Sequence, residues 1–105
     1  MKTQALDIET QDLQIVKTIL RKHLPAHASV YVFGSRIKGN AKKFSDLDLA
    51  IDNNMPLDSN LLAELNFDFE ESDLPYKVDV VDWNAISQSF QQAIHEHAQP
   101  LSYHL

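Results

Sequence analysis

The sequence predicts an α/β (α+β) domain in which a small sheet of three or more strands is backed by helices. Apolar residues recur at helical spacing near both ends of the chain, short β-branched runs lie between them, and turn residues separate the two kinds of segment. From about Thr10 to Leu24, Leu13, Val16, Leu20 and Leu24 fall at intervals of three and four, with Ile15 and Ile19 widening the stripe. Pro25 ends that helix. Ser29 to Phe33 is β-branched and aromatic and too short for a helix, so it reads as a strand closed by Gly34-Ser35. A short segment from Arg36 to Phe44 follows. Leu47, Leu49 and Ile51 then alternate with Asp46, Asp48 and Ala50, which predicts a second strand with carboxylates on one face and apolar side chains on the other.

Asn53 to Pro56 is a turn, after which Asp58 or Ser59 can cap a helix to about Glu71 with Leu61, Leu62, Leu65 and Phe69 inward. Beyond Pro75, Tyr76 to Val81 is the third strand, with Val78 and Val80 on one face and Asp79 and Val81 on the other. Trp83, Ile86, Phe90 and Ile94 step by three or four along a closing helix, with Trp83, Phe90 and Ile94 most simply as core. Phe67, Phe69 and the Tyr103 tail are candidates for a partner interface.

A chain of 105 residues, without internal repeat or linker, is expected to form one domain spanning residues 1–105, with no room for a large private substrate pocket. Hydrophobic residues make up 44% and charged ones 23%, outside the disordered regime. Nine basic against 15 acidic residues give a formal charge of -6, which disfavours direct nucleic-acid binding because that needs clustered cations. The absence of cysteine excludes disulfides and thiolate-held metals, so any metal must sit on oxygen or imidazole. The polar N-terminus and the lack of a long apolar run predict a cytoplasmic chain with no membrane partner.

The chemistry concentrates in Gly34-Ser35, a ten-residue interval, and Asp46-Leu47-Asp48. Two carboxylates one residue apart on a strand point to the same face, and at about 4 Å they repel by roughly 4 kcal/mol at an effective dielectric near 20. A hard divalent cation compensates such repulsion, and Mg²⁺ takes one or two carboxylates together with substrate phosphates. Gly34 lets backbone approach a ligand, while the Ser35 hydroxyl and the N–H groups at the following helix start can hold phosphate oxygens. Metal-binding carboxylates facing a phosphate-holding turn are the layout for phosphoryl or nucleotidyl transfer. Asp79 is the natural third carboxylate, with Asp82 as its rival on the opposite face or in the cap of the last helix.

These residues, within VFGSRIKGNAKKFSDLDLAID, resemble the signature of the DNA polymerase beta nucleotidyltransferase superfamily, and the short length together with KVDVVDW resembles its minimal nucleotidyltransferase (MNT) branch, the antitoxin partner of HEPN toxins. The resemblance implies a nucleotidyltransferase fold, one or two Mg²⁺ ions, ATP as substrate, and transfer of AMP to a tyrosine of the HEPN toxin, in a hetero-oligomer acting as a type VII-like antitoxin. It places Gly34 and Ser35 at the nucleotide-phosphate turn and Asp46, Asp48 and Asp79 as metal ligands and catalytic carboxylates, Asp79 activating the attacking hydroxyl. Arg36, Lys38 and Ser45 are the further nucleotide-binding candidates. Lys38, Lys42 and Lys43 read equally as loop solubility charges, and Arg36 as reaching a phosphate or the partner. An alternative is an antitoxin that neutralises its partner by binding and masking, without catalysis. Transfer to a small molecule or nucleic acid is a weaker possibility, opposed by the net charge of -6. His95 and His97 lie on different helix faces, and Arg21 with His27 matches the HEPN motif spacing only by coincidence, since Pro25 lies between them.

Overall fold

A computed structural model describes residues 6–38 and 44–104, without the Lys38 side chain. The expectations placed on the Lys38 side chain, Gly39, Lys42 and Lys43 therefore lie outside the described residues. The elements run α1 (Thr10–His23), β1 (Ser29–Phe33), α2 (Ser35–Lys38), β2 (Leu47–Asp52), α3 (Ser59–Glu70), β3 (Val78–Asp82), a 3₁₀ turn (Trp83–Ala85), α4 (Gln88–His95) and β4 (Gln99–Pro100). Leu24 closes α1 in an extended conformation, as the ring of the following Pro25 requires. Asp12 in its first turn and Arg21, Lys22 and His23 in its last complement the helix dipole.

The sheet is mixed and four-stranded in the order β3-β2-β1-β4. Both β2 and β4 pair antiparallel with β1, whereas β2 and β3 are parallel, with α3 as the crossover that a parallel pair needs. Registers Val30↔Ile51, Val32↔Leu49, Leu47↔Val78 and Leu49↔Val80 put the apolar side chains of β1, β2 and β3 on one face. That face is sealed by Val16, Ile19 and Leu20 of α1 and by Leu65 and Phe69 of α3, which join it in a single buried cluster. The opposite face carries Phe33, Asp48 and Asp79 side by side, because Asp48 pairs in register with both neighbours.

Three expectations are corrected. The closing helix is not continuous: Asp82 caps the 3₁₀ turn by accepting from the Asn84 N–H, and Ser87 caps α4 separately by accepting from the Phe90 N–H. Of its expected core residues only Ile94 is buried; Trp83 is half-buried and Phe90 is 43% exposed. Phe69 and Tyr103, candidates for a partner interface, are both buried in the core, whereas Phe67 is exposed. Arg21 is bonded to the Tyr103 carbonyl and to Thr18 Oγ1, a structural use in keeping with its spacing to His27 being fortuitous. Among the described residues no helix is long and apolar enough to cross a membrane.

Candidate active site

β1 stops at Phe33 because Gly34 turns the chain at φ 82°, a left-handed conformation that an L side chain resists. A second constraint acts on the same atom. A Cβ on Gly34 would collide with Asp48 Oδ2 and lie 3.3 Å from Asp48 Cγ, so the carboxylate of β2 occupies the space a side chain would need. The turn and the carboxylate thus fit against each other, with Ser35 immediately beyond at the start of α2.

Asp48 is the centre of the arrangement. Its register partners are Phe33 on β1 and Asp79 on β3. Asp46 stands just before β2 rather than within it, because the ladder begins at Leu47, whose N–H donates to the Lys77 carbonyl at 2.9 Å. Burial, then the negative charge of Asp79, then that of Asp46 push the Asp48 carboxyl up to about 6. Asp48 therefore senses both of the other carboxylates expected from sequence. The three do not form a closed cage: among the described residues, no three acidic or imidazole side chains gather around a common point. Asp79 is half exposed and its Oδ1 lies 3.6 Å from Lys77 Nζ.

The donor chemistry nevertheless fits a hard divalent ion. All three groups offer only oxygen, and Asp48 carries an electrostatic penalty that a cation would relieve. Asp82 lies at the other end of β3, opposite Ile51, with its Oδ2 accepting from the Leu57 N–H at 2.8 Å and its Oδ1 from the Asn84 N–H at 3.2 Å.

Arg36 is not a surface cation for phosphate or partner. It is 6% exposed, and its guanidinium donates to the carbonyls of Ser45 and Asp7 while lying 3.9 Å from the centroid of the Tyr76 ring. Ser45 uses its main-chain oxygen in that contact. Beyond the ring, the Tyr76 hydroxyl meets Oδ2 of buried Asp12 at 3.4 Å, and burial next to that carboxylate pushes the Tyr76 hydroxyl up to about 12. Sequence patterning passes over Asp12 and Tyr76. The signal for Asp12 is its position one helical turn before Val16, a carboxylate inside the apolar stripe of α1. A groove of about 520 Å³ lies between α3 and β3, with Phe69, Tyr76, Val78 and Val80 along it and Asp79 at its edge. It opens on the helix side of the sheet rather than over Asp48.

Comparison with known proteins agrees with this geometry. Residues 14–102 match the family described as "Polymerase beta, Nucleotidyltransferase". The chain is 51% identical over 89 residues to the probable protein adenylyltransferase MntA of Haemophilus influenzae, an alignment covering 85% of this chain and 77% of that protein. Among solved structures, a toxin-antitoxin with AMP-PNP superposes with a TM-score of 0.72 at 27% identity, over 87% of this chain and 73% of the other. The tri-AMPylated HEPN toxin of Shewanella oneidensis in complex with MNT antitoxin gives a TM-score of 0.63 at 26% identity, over 86% and 71%. With the family match spanning nearly the whole of the described structure, the chain belongs to the polymerase beta nucleotidyltransferases.

Proposed function

We propose that the protein transfers AMP from ATP to a tyrosine hydroxyl of a HEPN-type toxin in a Mg²⁺-dependent reaction and so acts as the antitoxin of a pair. The observation that carries this reading is the packing of Asp48 against the Gly34 turn with Asp79 in register beside it, which joins a phosphate-holding turn to a cluster of carboxylates. The half-identical MntA relative and the structural likeness to an AMPylated HEPN toxin in complex with MNT antitoxin support the acceptor class.

In this reading the Gly34-Ser35 turn receives the triphosphate: the missing side chain of Gly34 lets the Asp48 carboxylate pack against the turn, and Ser35 at the start of α2 brings a hydroxyl and an N–H that can donate to phosphate oxygens. Asp46 and Asp48 would hold the metal, with Asp79, whose Oδ1 now lies 3.6 Å from Lys77 Nζ, as the third carboxylate. Mg²⁺ supplies neutralisation of the phosphate charge and orientation of the transferred group. Asp79, half exposed on the edge strand, accepts the proton of an incoming hydroxyl in this reading, and that hydroxyl attacks the α-phosphorus as pyrophosphate departs. Ser45 then contributes through the main chain that leads into Asp46.

The test is to incubate the protein with ATP, Mg²⁺ and a HEPN-type partner and weigh the partner. The expected result is a mass gain of AMP on a tyrosine, abolished by Asp46→Asn with Asp48→Asn and by chelation. A double variant that still modifies the partner sinks the assignment of these carboxylates. A double variant that still neutralises the toxin without modifying it replaces catalysis by masking.

A further inference from the structure

An arginine withdrawn from water is stable only where its donors are met, and at Arg36 they are met in a particular pattern. Nε and Nη2 both donate to the Ser45 carbonyl, at 3.2 and 2.8 Å, and Nη1 donates to the Asp7 carbonyl at 3.0 Å. The Asp7 N–H returns a bond to the Arg36 carbonyl at 2.8 Å, so this residue grips the segment ahead of α1 with both main chain and side chain. The flat of the guanidinium lies against the ring of Tyr76.

Each of these contacts lands beside a different part of the site. Arg36 follows directly on the Gly34-Ser35 turn, Ser45 immediately precedes Asp46, and Tyr76 leads into β3 just ahead of Asp79. Between the last two, the Lys77 carbonyl accepts from the Leu47 N–H, where β2 begins. We infer that Arg36 is a positioning residue whose planar fork holds the phosphate turn, the Asp46 segment and the Asp79 strand in one register. Its shape, and not its charge alone, does this. A lysine ammonium radiates its donors from one point and has no flat face for the Tyr76 ring, so it cannot make the paired bonds to Ser45 and the stack together. The placement stands on the geometry alone; its catalytic consequence rests on the nucleotidyl-transfer reading.

The experiment uses the full chain with Arg36→Lys, Arg36→Met and, as a control for lost stability, Val16→Ala in the buried face of α1, all measured well below their Tm. In amide spectra of metal-free and nucleotide-free protein, both Arg36 variants should shift Ser35, Asp46 and Asp79 together, while Val16→Ala leaves those signals in place. In the transfer assay kcat should fall at least about tenfold with the KM for ATP changed less than about threefold, the split expected when reacting groups are misplaced. Shifts confined to the chain neighbours of Arg36, full rescue by lysine, or the same pattern from Val16→Ala would each overturn the inference. Should Arg36→Met fail to fold, Tyr76→Leu removes the ring face instead and should move the Asp79 amide; an unmoved Asp79 then counts against the inference. A wild-type chain that transfers no AMP removes the proposed function, and the amide measurements still decide the role of Arg36.

Discussion

At the scale of single residues, the site is held in a state that costs the apo protein stability. Asp48 is ionised against burial and two like charges, so its folded pKa of about 6 exceeds its unfolded value of 3.8. Below 3.8 both states keep the proton; between 3.8 and about 6 the folded state retains a proton the unfolded chain has released. Stability attributable to this group therefore falls as pH rises through that window, and the full penalty applies above it. The shift sets a ceiling of about 3 kcal/mol, which partial solvent screening reduces to roughly 1–2 kcal/mol. Asp48→Asn, unfolded in urea with chelator present, should be more stable than wild type by about that amount at pH 7.5, with the gain vanishing near pH 3.5, while AMP transfer is lost. An equal gain at both pH values would mean the charge is not its source. The approach of Asp48 to the Gly34 turn was legible in the sequence because it follows from residue types and spacing over a short stretch of chain. Arg36 was misread for a physical reason: a cation after a phosphate turn has two uses, and only the tertiary approach of Tyr76 and the Ser45 carbonyl selects the buried one.

At the scale of elements, the strands and the α1 and α3 stripes were legible because their periodicity is local, and their ends fall within a residue or two of the expected places. The end of the chain was not legible, for the opposite reason. Gln99–Pro100 becomes β4 only through pairing with Tyr31 and Val32, and a two-residue strand has no period to read. The break in the closing helix was marked by its caps, Asp82 and Ser87, but the spacing of Trp83, Ile86, Phe90 and Ile94 hid it. The tail is held by Tyr103, 2% exposed, whose hydroxyl lies 2.8 Å from the Ala28 carbonyl and 3.0 Å from that of Pro25. It pins the tail beneath the link between α1 and β1, one strand away from the site. Tyr103→Phe should cost about 1–3 kcal/mol, read as a lower urea midpoint with unchanged m-value, since it orphans the buried Ala28 carbonyl. A change below 0.5 kcal/mol, roughly the effect of an ordinary surface substitution, would show the tail to be held by apolar packing alone.

At the scale of the molecule, the sheet has two unequal faces. Helices α1 and α3 seal one of them with the core, whereas the other presents Asp48 and Asp79 next to Phe33, whose ring meets that of Phe90 on α4 edge-on at 6.4 Å. Under the proposed function this face supplies the nucleotide half of the site, and the acceptor comes on another chain. With a formal charge of -6 on 105 residues, long-range attraction favours a partner that is basic around its acceptor hydroxyl. Such attraction acts on encounter rather than on the docked contacts, because salt screens charges beyond about 8 Å at physiological ionic strength. Stopped-flow association of the protein with the proposed HEPN-type partner should therefore slow by about tenfold or more between 50 and 500 mM NaCl, with dissociation changed less than about threefold. An association rate indifferent to salt would assign recognition to apolar contacts, and the acidic balance of the chain would then serve the metal and the solvent alone.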